Sequence, residues 1–307
     1  MENPIAESFE PIAPTSNLKS LLTSQEKIKI ALALGNSRLH WGLFAGETLQ
    51  KTWDTEHLSA GAVLQLSEEE KAAYLAQTVM SSIEESCSEN LLSLPTTFDI
   101  SSPPTLPLFA IPLVLASVVP EQTALWQSYP NVRIITLDQL PIGGLYSSLG
   151  IDRALALLGA GTQLGWPILV IDAGTALTFT GADVNRHFVG GAILPGLGLQ
   201  LSSLKEKTAG LPLVSLPDNL PWRWAADTAG AIESGVVRGV VAAVKDFIED
   251  WRSLFPDSKI ALTGGDRTLL LKYLASAFPE TAAMVIDAPE VIFWGIQNSF
   301  EVVKCSN

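Results

Sequence analysis

Four consecutive apolar residues, Ile168-Leu169-Val170-Ile171, end on a carboxylate, Asp172. A short unbroken apolar run bounded by turn residues predicts a buried strand. Ala173-Gly174-Thr175-Ala176 predicts a tight turn, Leu177-Thr178-Phe179-Thr180 a returning strand, and Phe188 to Leu194 a third. The same order occurs earlier in the chain. Ile28 to Leu34 reads as a strand, Gly35-Asn36-Ser37-Arg38 as a turn, Leu39 to Phe44 as a strand, Gly46-Glu47 as a turn and Leu49 to Trp53 as a strand. Two copies of strand, glycine turn, strand, strand predict a duplicated architecture. Such a pair can face each other across a cleft, with one turn on each wall.

Helical spacing fills the intervals. Ser67 to Ser86, Glu121 to Ser128, Asp152 to Gly161, Leu197 to Thr208, Thr228 to Phe255, Thr268 to Phe278 and Pro289 to Val303 read as helices. Leu113 to Val119, Val132 to Leu137, Lys259 to Thr263 and Met284 to Asp287 read as further strands. Residues 1–26 form a proline- and serine-containing leader without periodicity, Ser88 to Pro107 an irregular loop, and Leu211 to Trp224 a proline-rich loop. The glycine- and serine-rich segment Pro141 to Gly150 carries the crossing between halves.

Composition narrows the function classes. With 307 residues, 47% hydrophobic and 17% charged, the chain has enough apolar material for a large core or two domains. A formal net charge of −13 argues against nonspecific nucleic-acid binding and leaves an anionic substrate to be captured by local donors. Two distant cysteines, Cys87 and Cys305, give neither a disulfide framework nor a zinc pattern. His40, His57 and His187 lack metal-ligand spacing and read as surface or packing residues. No bilayer-spanning run and no secretory signal occur, so the expected location is cytoplasmic.

The turn after Ile171 places backbone N–H groups, a hydroxyl and a carboxylate together, which suits a phosphate with its metal. The same residues serve equally well in an ordinary hairpin whose Asp and Thr satisfy the turn backbone.

A larger set of motifs narrows the choice. Gly35-Asn36-Ser37, Gly150-Ile151-Asp152-Arg153, Asp172-Ala173-Gly174-Thr175-Ala176 with Gly190 to Gly196, and Thr263-Gly264-Gly265 occur in that order. Together they resemble the type III pantothenate kinases of the actin-like, ATP-binding superfamily. The resemblance spans residues 28 to about 303. It implies an α/β fold with two actin-like (ribonuclease H-like) domains, each a mixed sheet with flanking helices, duplicated around a cleft. The domains would be 27–140 and 141–307. The implied reaction is phosphorylation of the terminal hydroxyl of pantothenate by ATP, the first step toward coenzyme A.

By the same resemblance, Asp152 is the general base. Tyr146, Gly150, Ile151, Asp152, Arg153 and Thr228 bind pantothenate, with Thr228 reaching across a homodimer interface. Leu34, Gly35, Asn36, Ser37, Arg38, Gly174, Thr175, Gly264 and Gly265 bind ATP. Asp172 holds a monovalent cation, K⁺ or NH₄⁺, and Mg²⁺ accompanies the nucleotide. The expected partners are the two small-molecule substrates and a second copy of the chain, with no nucleic acid and no membrane.

The chain departs from the family pattern in three places. The first motif ordinarily begins with Asp, and here Ala33 stands there, while Ser37 replaces a threonine. Arg38 and His40 occupy positions where smaller or apolar residues are usual, and Arg38 offers positive charge to phosphate in place of part of the metal's role. Tyr146 lies nearer Gly150 than the family's pocket tyrosine. Ala33 keeps an alternative open: a catalytically impaired relative acting as a nucleotide- or pantothenate-binding regulatory protein. A kinase of the same fold acting on another small alcohol is a third reading.

Overall fold

The computed structural model describes residues 28–58, 68–87 and 111–304. The leader, the loop before Pro107 and Cys305 lie outside them. The first sheet contains β1 (Ile28–Leu34), β2 (Leu39–Ala45), β3 (Thr48–Thr55), β4 (Leu113–Ser117) and β5 (Val132–Ile134) in the order β3-β2-β1-β4-β5. β1, β2 and β3 are antiparallel, and β4 and β5 run parallel to β1. The second sheet contains β6 (Ile168–Ala173), β7 (Ala176–Ala182), β8 (Phe188–Pro195), β9 (Lys259–Thr263) and β10 (Val285–Asp287) in the order β10-β9-β6-β7-β8. Its pairing repeats the first: β6, β7 and β8 antiparallel, β9 and β10 parallel to β6. Two sheets of identical order and sense make the chain a duplicated ribonuclease H-like fold of the actin-like class.

Burial follows sheet position. β1 and β6 are central and covered on both faces, so they tolerate nearly continuous apolar sequence. β3 and β8 are edges, and their exposure alternates residue by residue.

Helices separate and cover the sheets. α1 (Glu68–Cys87) and α2 (Pro120–Trp126) cover the outer face of the first sheet, where Leu75, Val79 and Trp126 pack on Ile30, Leu32 and Leu34. α3 (Ile151–Leu164) lies between the sheets with α8 (Val291–Lys304), sharing a core with Ala31, Ala33 and Ala116 on one side and Ile168, Val170 and Ala261 on the other. α4 (Leu197–Lys207), α5 (Thr228–Leu254) and α6 (Arg267–Ala277) cover the outer face of the second sheet. α7 (Pro279–Ala282) is one turn.

α3 and α8 approach closely through glycines. A Cβ on Gly159 would stand 2.0 Å from the Val291 carbonyl oxygen, and one on Gly295 would stand 2.0 Å from that of Leu155. Any side chain there would drive the helices apart, so these two glycines set the separation of α3 and α8.

Sequence and structure differ mainly at element ends. β4 stops at Ser117 because the Ser117 hydroxyl accepts from the Val119 amide at 3.0 Å and from the Thr123 hydroxyl at 2.6 Å, turning the chain into α2. The strand expected through Leu137 ends at Ile134. Thr136 and Gln139 instead form a capping box around the 3₁₀ turn Leu137–Gln139. The last helix begins at Val291 rather than Pro289.

Candidate active site

Side-chain alternation on β1 and β6 decides what enters the space between the sheets. Ile30, Leu32 and Leu34 face outward, which turns Ala31 and Ala33 inward. On β6, Leu169, Ile171 and Ala173 face outward, so Ile168, Val170 and Asp172 face inward. Counted from the glycine that closes each strand, Ala33 and Asp172 are equivalent positions. Each sits in a row across its sheet. The first row is Asp54, His40, Ala33 and Ala116. The second is Ile193, Thr178, Asp172 and Thr263.

The two turns meet. The Ser37 and Thr175 hydroxyls are hydrogen-bonded at 2.8 Å across 138 residues of sequence. Asn36, Ser37, Arg38 and Thr175 are exposed at this meeting point, and Leu34 is buried behind it. The first turn is closed by the Gly35 amide, which donates to the Arg38 carbonyl at 3.0 Å. The second is closed by the Gly174 amide, which donates to the Ala176 carbonyl at 3.1 Å, and by the Gly196 amide, which donates to the Thr175 carbonyl at 2.9 Å.

Asp152 stands in the first turn of α3, where the unpaired helix amides favour a negative charge. Its Oδ1 accepts from the Arg153 amide at 2.7 Å. A Cβ on Gly150 would lie 2.4 Å from that oxygen, so the N-cap must be glycine for the carboxylate to fold back this way. Burial raises the Asp152 carboxyl above its ordinary value, opposed by the Arg153 amide and guanidinium. A raised carboxylate is the better proton acceptor.

Arg153 is buried. Its Nε donates to Thr180 Oγ1 at 3.0 Å, one terminal nitrogen to the Phe179 carbonyl at 2.9 Å, and the other to the Tyr146 hydroxyl at 3.4 Å. A Cβ on Gly191 would stand 2.4 Å from this guanidinium. Tyr146 stacks edge-on against Phe188 with ring centroids 5.6 Å apart and is 44% exposed. Arg153 and Tyr146 thus form a fixed cationic and aromatic corner beside Asp152.

Asp172 is the least comfortable group in the site. Burial, then repulsion by Asp152, pushes its carboxyl up to about 6. Gly264 covers it at φ +94°, where a Cβ would lie 2.5 Å from Asp172 Oδ1 and 2.4 Å from the Ala173 carbonyl. Arg267 holds that turn, donating from one terminal nitrogen to the Gly264 carbonyl at 3.2 Å and from Nε to Asp287 at 3.0 Å. Gly265 beside it is open. Among the described residues, the Asp172 carboxylate has no hydrogen-bond or ion-pair partner, which is the donor chemistry a bound cation satisfies. Also among the described residues, no three His, Cys, Asp or Glu side chains converge on a metal position. A cation there would have the Asp172 carboxylate with water and phosphate oxygens as ligands.

Contacts link the two turns to each other, Asp152 to Gly150 and Arg153, Arg153 to Tyr146, and Asp172 to Gly264. α5 packs on the outer face of the second sheet, and Thr228 is exposed at its N-terminus. Asp227 caps that helix by accepting from the Gly230 amide at 2.8 Å, which frees the Thr228 hydroxyl. Two histidines have more specific surroundings than their spacing suggests. The imidazole Nε2 of His57 bonds the Gly35 carbonyl at 2.8 Å, and His40 Nδ1 bonds Asp54 at 2.7 Å. Thr180 and Arg267 escape sequence reasoning, since only their spatial neighbours give them roles. Gly191 stands in the Gly190 to Gly196 motif, but its closeness to Arg153 shows only in the fold.

Comparison with known proteins gives the family. The family model for type III pantothenate kinase matches residues 29–250. A type III pantothenate kinase of Nostoc is 51% identical over 270 residues, covering 87% of this chain and 92% of its own. One from Synechocystis is 40% identical over 279 residues, covering 90% and 92%. Among solved structures, a Campylobacter jejuni protein described as a Baf family transcriptional activator superposes with a TM-score of 0.50 at 18% identity, covering 90% of this chain and 99% of its own, a likeness of fold alone. The chain belongs to the type III pantothenate kinase family.

Proposed function

We propose that the protein transfers the terminal phosphoryl group of ATP to the terminal hydroxyl of pantothenate, giving 4'-phosphopantothenate, the first step of coenzyme A biosynthesis. The observation that carries this reading is the convergence of two glycine turns with Asp152 and Asp172 in one cleft, in a chain of this family. Membership favours the kinase over a binding protein that has lost turnover.

The residues divide the work. Backbone and hydroxyl groups of the turns at Gly35–Arg38 and Gly174–Thr175, with Gly264 and Gly265, receive the nucleotide. Arg153 and Tyr146 hold pantothenate, whose carboxylate suits the guanidinium. Asp152 accepts the hydroxyl proton as the oxygen attacks the terminal phosphorus in line and ADP leaves. Mg²⁺ with the nucleotide, and K⁺ or NH₄⁺ at Asp172, would neutralise the charge that spreads over the phosphoryl oxygens.

Two further elements belong to this proposal. The chain divides near residue 140 into domains 27–140 and 141–307, which work in the cytoplasm. It acts as a homodimer. Trp222 and Trp224 are 86% and 89% exposed, and Ile193, Val189 and Leu213 are exposed on the same half. Side chains of that size on a free edge strand and on an exposed loop favour a partner surface. Thr228, exposed at the start of α5, would then serve the partner's cleft. No described helix is long and apolar enough to cross a membrane.

The test is mass spectrometric detection of the phosphorylated product from ATP and a panel of small alcohols. Pantothenate turned over preferentially, with a rate that rises on adding K⁺, supports the proposal. Turnover of a different alcohol with pantothenate inert overturns the substrate, and no ADP from any acceptor overturns the kinase.

A further inference from the structure

The row across the first sheet has an unusual order. At Ala33, the equivalent of Asp172, no functional group is present. The adjacent strand instead places His40 opposite Ala33 on the same inward face, and the next strand places Asp54 opposite His40. His40 Nδ1 is bonded to Asp54 Oδ1 at 2.7 Å. The other ring nitrogen, Nε2, lies over the phosphate-side turn: a Cβ on Gly35 would be 3.3 Å from it.

Three observations separate this histidine from a packing residue. The side chain is 40% exposed although its strand is buried around it. The turn does not need it as an anchor, because His57 already bonds the Gly35 carbonyl. Its charge also reaches the chemistry, acting on both Asp152 and Asp172. Asp54, hydrogen-bonded to His40 and near Arg38 and Arg267, is held below its ordinary value, so it stays a carboxylate and fixes the ring through Nδ1.

We propose that His40, oriented by Asp54, is a phosphate-binding residue whose Nε2–H donates to the terminal phosphates of the nucleotide at the place Ala33 leaves without a functional group. The inference rests on the reading that ATP phosphates enter between the two turns. Ala33 presents only a methyl group beside the ring, so nothing on β1 competes for its Nε2. A carboxylate at that position would sit directly across from the imidazole and pair with it, taking the donor away from phosphate.

The experiment is calorimetric titration of ATP, ADP and AMP into wild type, His40→Gln and Asp54→Asn, with thermal unfolding midpoints and both KM values measured alongside. His40→Gln is expected to weaken ATP binding by about tenfold, the usual effect of losing a charge-assisted hydrogen bond. The loss should shrink from ATP to AMP, and KM for pantothenate should stay within about twofold. Asp54→Asn should weaken ATP less, in the same order of nucleotides. ATP affinity unchanged in His40→Gln, or an equal loss for all three nucleotides, overturns the proposal. If His40→Gln does not fold, Asp54→Asn decides by the same criterion. Wild type that binds ATP with this nucleotide order but phosphorylates no alcohol would overturn the kinase reading and leave His40's role standing.

Discussion

Ser37 and Thr175 touch hydroxyl to hydroxyl at 2.8 Å, joining the glycine turns of the two halves. This contact locates the floor of the cleft, and both hydroxyls are free to turn toward a phosphate instead of each other. Ser37→Ala and Thr175→Val should each raise KM for ATP about tenfold, the effect of one hydrogen bond to a charged group. Ser37→Thr should stay near wild type. Steady-state kinetics at saturating pantothenate measure this, and unfolding midpoints should barely move because the bond is exposed.

Asp172 is a destabilising group in the folded chain. Its carboxyl goes from 3.8 in the unfolded chain to about 6 in the folded one. Between those values the native state binds more protons, so stability falls as pH rises from about 4 to about 6 and the loss is complete at neutral pH. Asp172→Asn removes this effect. It should therefore be more stable than wild type at pH 7, by at most about 3 kcal/mol for a shift of this size. The advantage should disappear below about pH 4, and the K⁺ dependence of activity should be lost. Urea unfolding at a series of pH values measures the first effect.

Gly264→Ala forces a side chain to φ +94° and within 2.5 Å of Asp172 Oδ1 and 2.4 Å of the Ala173 carbonyl. We expect destabilisation of about 1–3 kcal/mol, the range for strained backbone positions, and a collapse of ATP binding. Gly265→Ala, with open space around it, should fold like wild type. Thermal melts of the two variants, side by side, check the contrast.

Arg153 is fixed by Thr180, the Phe179 carbonyl and Tyr146. Arg153→Lys keeps the charge but cannot reproduce that planar set of donors. KM for pantothenate should rise about tenfold or more, as for a lost charged hydrogen bond, while KM for ATP changes little. Substrate titrations of the variant separate the two.

Much of the fold is legible in the sequence because it is local. The run Ile168 to Ile171 ends on Asp172 and a glycine turn, and the earlier run to Leu34 and Gly35 repeats it, so the duplication and both turns show in the linear pattern of residues. Asp152 at a helix start is equally readable. The rest depends on what lies opposite. His40 reads as a lone surface histidine until strand register sets it between Ala33 and Asp54. Arg153 stands out only by its motif, and its burial shows once Thr180 and Phe179 close around it. Ser117 carries a strand signal, and only its hydroxyl bonds to Val119 and Thr123 end the strand. Pairings across 14, 27 or 138 positions leave no mark on the local sequence pattern.

The mechanism depends most on Asp152 as the proton acceptor in a cleft shared by both turns. Pantothenate-dependent ADP release by Asp152→Asn, compared with wild type at saturating substrates, tests it directly. The expected result is a rate roughly 100- to 10,000-fold lower, the range for losing a general base, with both substrates still bound. Equal rates for the two proteins would contradict it.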